Sequence, residues 1–189
     1  MRAASLQGIP VLEQGNQEAR DAHDCARADQ LLKDILLLEA KERLCACVEE
    51  WHEGHFGNSW VALARAKINL DIVLGNDGGA TVAAWYALVA DLEERFPRMV
   101  GMSIEGEVIK AHCSVCGQNV LSCHHIARRI YCGVLCSRVV TQADQHATSI
   151  VENAAQPEAR VMKVGDLDVE AEGLFWDEGE VERRTQCGC

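Results

Sequence analysis

Between residues 31 and 51 the apolar positions Leu31, Leu32, Ile35, Leu37, Leu38, Leu44, Val48 and Trp51 recur largely at spacings of three, four and seven. Lys33, Asp34, Glu39, Lys41, Glu42 and Arg43 fill the gaps. This periodicity predicts an amphipathic helix, and Glu39 and Arg43 stand four apart in the order that favours an ion pair along its surface. The helix is expected to reach upstream through residues 17–30 and to stop at Gly54 and Gly57. A second helix is predicted from Ser59, an N-cap residue type, to about Leu74, closed by Gly75-Asn76-Asp77-Gly78-Gly79. A third begins near Thr81, places Val82, Trp85, Val89, Leu92 and Phe96 on one stripe, and ends at Pro97. Three helices with short breaks give a small bundle or an extended helical arm.

Beyond Pro97 the texture changes. Residues 102–110 partly alternate between apolar and polar, as a strand or hairpin does, and Val139-Val140, Ser149-Ile150-Val151 and Arg160-Val161-Met162-Lys163-Val164 read as short strands. From residue 165 the chain is acidic, with scattered Leu174, Phe175 and Trp176, and reads as a tail. The expected fold class is therefore α+β: a helical region over residues 1–100, a small β-rich module over 101–164 and an acidic tail over 165–189. No internal repeat stands out.

Charge supports these divisions. The net charge of −11 separates into −7 over residues 1–112, +1 over 113–162 and −5 over 163–189, so a near-neutral middle lies between two acidic flanks. An acidic chain is not built to hold a phosphate backbone, which argues against nucleic acid as the main partner. No apolar run approaches the ~20 residues that a membrane helix needs. No continuous apolar segment follows the N-terminus, so neither a membrane partner nor a secretory signal is expected.

The near-neutral middle holds the chemistry. The chain has 10 cysteines, and without a secretory signal metal binding accounts for them better than disulfides do. Cys113-Ser114-Val115-Cys116-Gly117 is followed by Cys123-His124-His125 and then by Cys132 and Cys136. Two thiolates three positions apart reach one ion when the chain turns tightly, and Gly117 permits that turn. Cys123 or His125, together with Cys136, would complete a tetrahedron; Cys132, His124 and His112 are the first to leave out. Zinc is the expected ion, because thiolate-rich tetrahedral sites select it. A filled shell of protein ligands implies a structural site, and no catalytic set is expected.

The run formed by Cys113, Cys116, Gly117, Cys123, His125, Tyr131, Gly133 and Cys136 resembles a zinc-binding motif of tailed-phage and prophage proteins, some of them associated with head maturation. The following segment, Ser149-Ile150-Val151-Glu152-Asn153-Ala154-Ala155-Gln156-Pro157-Glu158-Ala159-Arg160, is similar to a strand and turn of phage prohead proteases. The resemblance covers residues 113–160 and implies a virion protein of capsid, neck or tail. Such a protein would be non-enzymatic and oligomeric, with copies of itself and other virion proteins as partners, and would occupy the host cytoplasm before assembly. The alternatives are a cytosolic zinc-dependent adaptor or regulator and an enzyme related to the prohead proteases, for which His146 and Ser149 are the residues to watch.

Other constellations have simpler readings. His52-Glu53-Gly54-His55 departs from the H-E-x-x-H spacing, so with Cys45 and Cys47 it reads as a helix end rather than a second metal site. Gly75-Asn76-Asp77-Gly78-Gly79-Ala80-Thr81 lacks the lysine of a phosphate-binding loop and reads as a helix–helix turn.

Overall fold

A computed structural model describes residues 8–96 and 101–151, together with the strand pair 163–164 and 167–168. Four helices come first: α1 (Gly8–Asp21), α2 (Cys25–His52), α3 (Phe56–Gly75) and α4 (Gly79–Arg95). Six strands follow: β1 (Gly101–Cys113), β2 (Ile130–Tyr131), β3 (Val134–Leu135), β4 (Arg138–Val151), β5 (Lys163–Val164) and β6 (Leu167–Asp168). The fold is α+β, with the helices N-terminal and the strands C-terminal. The predicted tail lies outside the described residues apart from β6, as do residues 152–160.

The helix expected to run unbroken from residue 17 is two helices. His23 adopts φ +59°, and the Asp24 carboxylate accepts a bond from the Arg27 backbone N–H at 3.1 Å, capping α2 afresh. Aspartate offers the backbone a local partner, which ends one helix and starts the next. Ser59 also differs from expectation. It lies inside α3, fully buried, and its Oγ donates to the Cys47 carbonyl of α2 at 2.7 Å. The hydroxyl is satisfied across the α2–α3 contact, so it is a packing residue and not a cap.

The core lies among the helices. Leu36, Ala40, Leu63, Ala66, Leu70, Val73, Val82, Val89 and Phe96 form one buried cluster, and Trp85 and Leu92 pack against it, so the predicted α4 stripe faces inward. Leu63, Leu70, Val73 and Val89 are fully buried, each worth roughly 1.5–3 kcal/mol of transfer from water. Trp51 meets Phe56 and Phe96 edge-on at 4.9 Å, closing the end where α2 turns into α3. Asn69 bonds Glu39 at 2.9 Å, and Lys67 pairs with Glu93, linking α3 to α2 and to α4 respectively.

The strands predicted at 139–140 and 149–151 are parts of one long strand, β4. It pairs antiparallel with β1 from Gly101 opposite Val151 to Cys113 opposite Arg138. The register shifts at three places, and Gly106 lies where an added Cβ would collide with the Asp144 carbonyl. The loop between these strands contains the β2–β3 hairpin, turned by Cys132 and Gly133 at φ +50° and +72°.

This hairpin docks the module on the helices. Cys132 forms a disulfide with Cys25 at the start of α2. The Gly133 N–H donates to Asp29 Oδ1 at 2.6 Å, and a Cβ at Gly133 would lie 2.8 Å from Asn16 Nδ2 and from Ala28 Cβ. On the other side, Asn76 after α3 donates to the Arg128 carbonyl at 2.9 Å and accepts from the Ile130 N–H at 3.0 Å. Arg128 pairs with Asp71 at 2.6 Å, while Ile130 and Leu135 pack onto the helical core. The glycine-rich run after α3 is thus the predicted helix–helix turn and also a clamp.

Candidate metal centre

The centre is built where β1 ends. Past Cys113 the chain reverses: the Gly117 N–H donates to the Cys113 carbonyl at 2.9 Å, and Gly117 takes φ +69°, a conformation costly for any residue with a Cβ. The Cys113 N–H donates to the Gln118 carbonyl at 2.9 Å, and His112 bridges Asn119, which folds the knuckle back against β1. Further on, the His125 ring meets Tyr131 edge-on at 4.6 Å, and the Tyr131 hydroxyl accepts the Ile126 N–H at 3.0 Å. Tyr131 and Gly133 therefore hold the loop: the tyrosine orients the histidine, and the glycine permits docking on α2.

These turns gather Cys113, Cys116, Cys123 and His125, whose ligand atoms all lie within 4.8 Å of one another. Cys113 Sγ is 3.7 Å from His125 Nδ1, Cys123 Sγ is 3.3 Å from the same nitrogen, and the Cys116 and Cys123 sulfurs are 3.5 Å apart. Metal–sulfur bonds of ~2.3 Å and metal–nitrogen bonds of ~2.0 Å give tetrahedral edges of about 3.4–3.8 Å, so the donor set fits one ion. Cys113 is buried, Cys123 and His125 are half-buried, and Cys116 is exposed.

Cys136, the fifth expected ligand, is buried with its sulfur 3.7 Å from that of Cys113, yet it falls outside the mutually close four. Cys132 is in the disulfide. His124 is exposed on the wall of a cavity beside the centre.

The sulfurs perturb one another. The Cys116 backbone N–H at its sulfur, helped by that of Val115, lowers the Cys113 thiol to about 6. Cys123 also receives a backbone N–H, from His125, which lowers it; burial and the Cys116 and Cys113 sulfurs outweigh this and push it up to about 11. Burial, followed by the Cys113 sulfur, raises Cys136. The Cys113 sulfur carries charge, while Cys123 and Cys136 keep their protons. A divalent cation reverses this balance.

Elsewhere, Cys47 is buried against Ser59, with its sulfur 3.3 Å from Oγ, and does not join His52 and His55. His55 Nδ1 instead lies 3.2 Å from Glu50 Oε2 and 3.5 Å from Glu53 Oε2, an exposed network that closes the α2–α3 turn. His146 is the unpaired extra residue at a register shift of β4, and Ser149 lies opposite Ser103 on the exposed ribbon. Sequence reasoning did not find Cys25, Asp29 or Asn16, which lie more than a hundred residues from the loop they hold. Nothing local in the chain marks them.

No protein family, curated protein or solved structure matches the chain. Among the described residues, no helix is long and apolar enough to cross a membrane. The fold and site define a class: an α+β protein whose helical unit carries a module with three cysteines and one histidine able to hold a metal ion.

Proposed function

We propose that this chain is a non-enzymatic structural or assembly protein in which a zinc-stabilised module holds out a β-ribbon as a docking arm. The observation that carries this reading is the β1–β4 ribbon. Following the register, Met102, Ile104, Val108, Ala111, Val140, Ala143 and Ile150 share one face with Gly106, Gln145 and Thr148, whereas Ser103, Glu105, Glu107, Lys110, Gln142, Asp144 and Ser149 share the other with Ala147, His112 and Val139. The mainly apolar face is buried at its base, at Ala111, and open towards its far end, with Ile104 70% and Ile150 75% exposed. Among the described residues no third strand joins this sheet, and two strands alone are marginal in water. Packing against another protein surface supplies the missing layer.

Zinc suits three thiolates and one imidazole in a tetrahedral set, and four protein ligands leave no position for a substrate. When bound, the ion would cross-link the knuckle at Cys113 and Cys116 to the loop at Cys123 and His125, fixing the base from which the ribbon rises. The resemblance of residues 113–160 to tailed-phage proteins supports a virion setting, in capsid, neck or tail, with copies of the chain and other virion proteins as partners. The test is quantitative mass spectrometry of purified particles. A fixed copy number per particle is the expected result; a chain found free in the lysate and absent from particles overturns the reading.

A further inference from the structure

We propose that Cys113 and Cys136 form a peroxide-sensitive pair, a modification site where a two-electron oxidant joins the two sulfurs and discharges the metal. The proposal rests on the zinc part of the function above and is independent of the virion setting. Its first support is placement. The two sulfurs are 3.7 Å apart, and the residues are only 3% and 4% exposed. The backbone beside them is fastened: the Ser114 N–H donates to the Ser137 carbonyl at 3.0 Å, and the Ser137 N–H to Ser114 Oγ at 2.9 Å. Closing to the ~2.05 Å of a disulfide therefore falls to the side chains.

The second support is ligand arithmetic. Cys113, Cys116, Cys123 and His125 complete a tetrahedron, so Cys136 remains a thiol beside a metal-bound thiolate. The Cys116–Cys123 pair is closer, at 3.5 Å, but both of its sulfurs are held by the metal. Cys136 needs to leave nothing before it attacks. Access is the third support. A cavity of about 360 Å³ adjoins the centre, lined by Cys113, Cys123, His125, Cys136, Ser137 and Arg138. Hydrogen peroxide, little larger than a water of ~30 Å³, fits within it.

In the first step the Cys113 sulfur attacks the peroxide; an S–O bond forms, the O–O bond breaks, and the departing hydroxide takes a proton from solvent to become water. In the second, the Cys136 sulfur attacks the sulfenic sulfur; the S–S bond forms and the S–O bond breaks. The second hydroxide leaves as water with the Cys136 proton. Two sulfurs lose two electrons, the peroxide gains them, and the metal loses a ligand.

The experiment treats the zinc-loaded full chain with stoichiometric hydrogen peroxide. Released zinc is read with a metallochromic dye and disulfides by peptide mapping. A Cys113–Cys136 link, with one zinc released per link and rebinding after a dithiol reductant, is the expected result. The Cys136→Ser variant should keep its zinc and release it at least about tenfold more slowly under peroxide. Linkage of Cys116 to Cys123 in the wild-type chain overturns the proposal, as does a variant that releases zinc as fast as wild type. If the variant folds but binds no zinc, Cys136 is itself a ligand and the proposal fails. Should it not fold, the wild-type map decides alone. A wild-type chain that never binds zinc refutes the metal-discharge half and the zinc reading together, whereas a zinc-bound chain without the link refutes this proposal only.

Discussion

Cys123 shows how a single residue sets the conditions for metal binding. Without metal, its thiol lies near 11 and that of Cys113 near 6. At pH 7.5 Cys113 is therefore ionised, while Cys123 holds a proton that an incoming ion must displace. Below about pH 6 Cys113 must also release one. Protons compete with the metal, so affinity falls as pH falls, and the dependence on these two thiols steepens from one proton to two on passing through about pH 6. Chelator-competition titrations at pH 5.5, 6.5 and 7.5 check this; a pH-independent affinity would contradict it. Gly133 offers a second test at this scale. With φ +72° and no space for a Cβ against Asn16 and Ala28, Gly133→Ala should cost about 1–3 kcal/mol, read from the denaturant midpoint.

Among the elements, local pattern was legible and long-range pairing was not. The stripe from Val82 to Phe96 identified the inward face of α4, because periodicity alone determines which side of a helix is apolar. The ribbon was read as fragments. Its register shifts break the alternation, and strands joined across residues 113–138 leave no short-range mark of their pairing. The metal cluster was legible as a group, since C-x-x-C-G is a local turn, yet spacing left open whether Cys123 or His125 would ligate. The structure brings both inward and places Cys136 just outside. The ribbon also carries its own prediction. Ile104→Asp with Ile150→Asp alters exposed positions, so the isolated chain should keep its stability within about 0.5 kcal/mol. Incorporation into particles should fall sharply, and equal incorporation of variant and wild type would remove the ribbon from the assembly surface.

At the scale of the whole molecule, the helices and the module draw their stability from different sources. The helices bury Leu63, Leu70, Val73 and Val89 completely, whereas the buried apolar residues described after position 100 are Ala111, Cys113 and Cys136. With so small a core, the proposed ion would supply folding energy to the module through its binding. The Cys25–Cys132 disulfide joins the two parts across a sequence separation of 107, and closing a loop of roughly a hundred residues restricts the unfolded chain by about 4.7 kcal/mol in the loop-entropy picture. Chelation should therefore act selectively. With the disulfide intact, a strong chelator should abolish amide protection in β1 and β4, while α2–α4 keep theirs and the helical circular dichroism persists. The Cys25→Ser/Cys132→Ser chain should retain the metal-loaded fold at a lower denaturant midpoint and, once chelated, expose Ile130 and Leu135 as the hairpin leaves the helices. Hydrogen exchange followed by peptide mass spectrometry distinguishes these states. Simultaneous loss of protection in helices and ribbon would mean one cooperative unit, with the ion stabilising the helical core as well as the module.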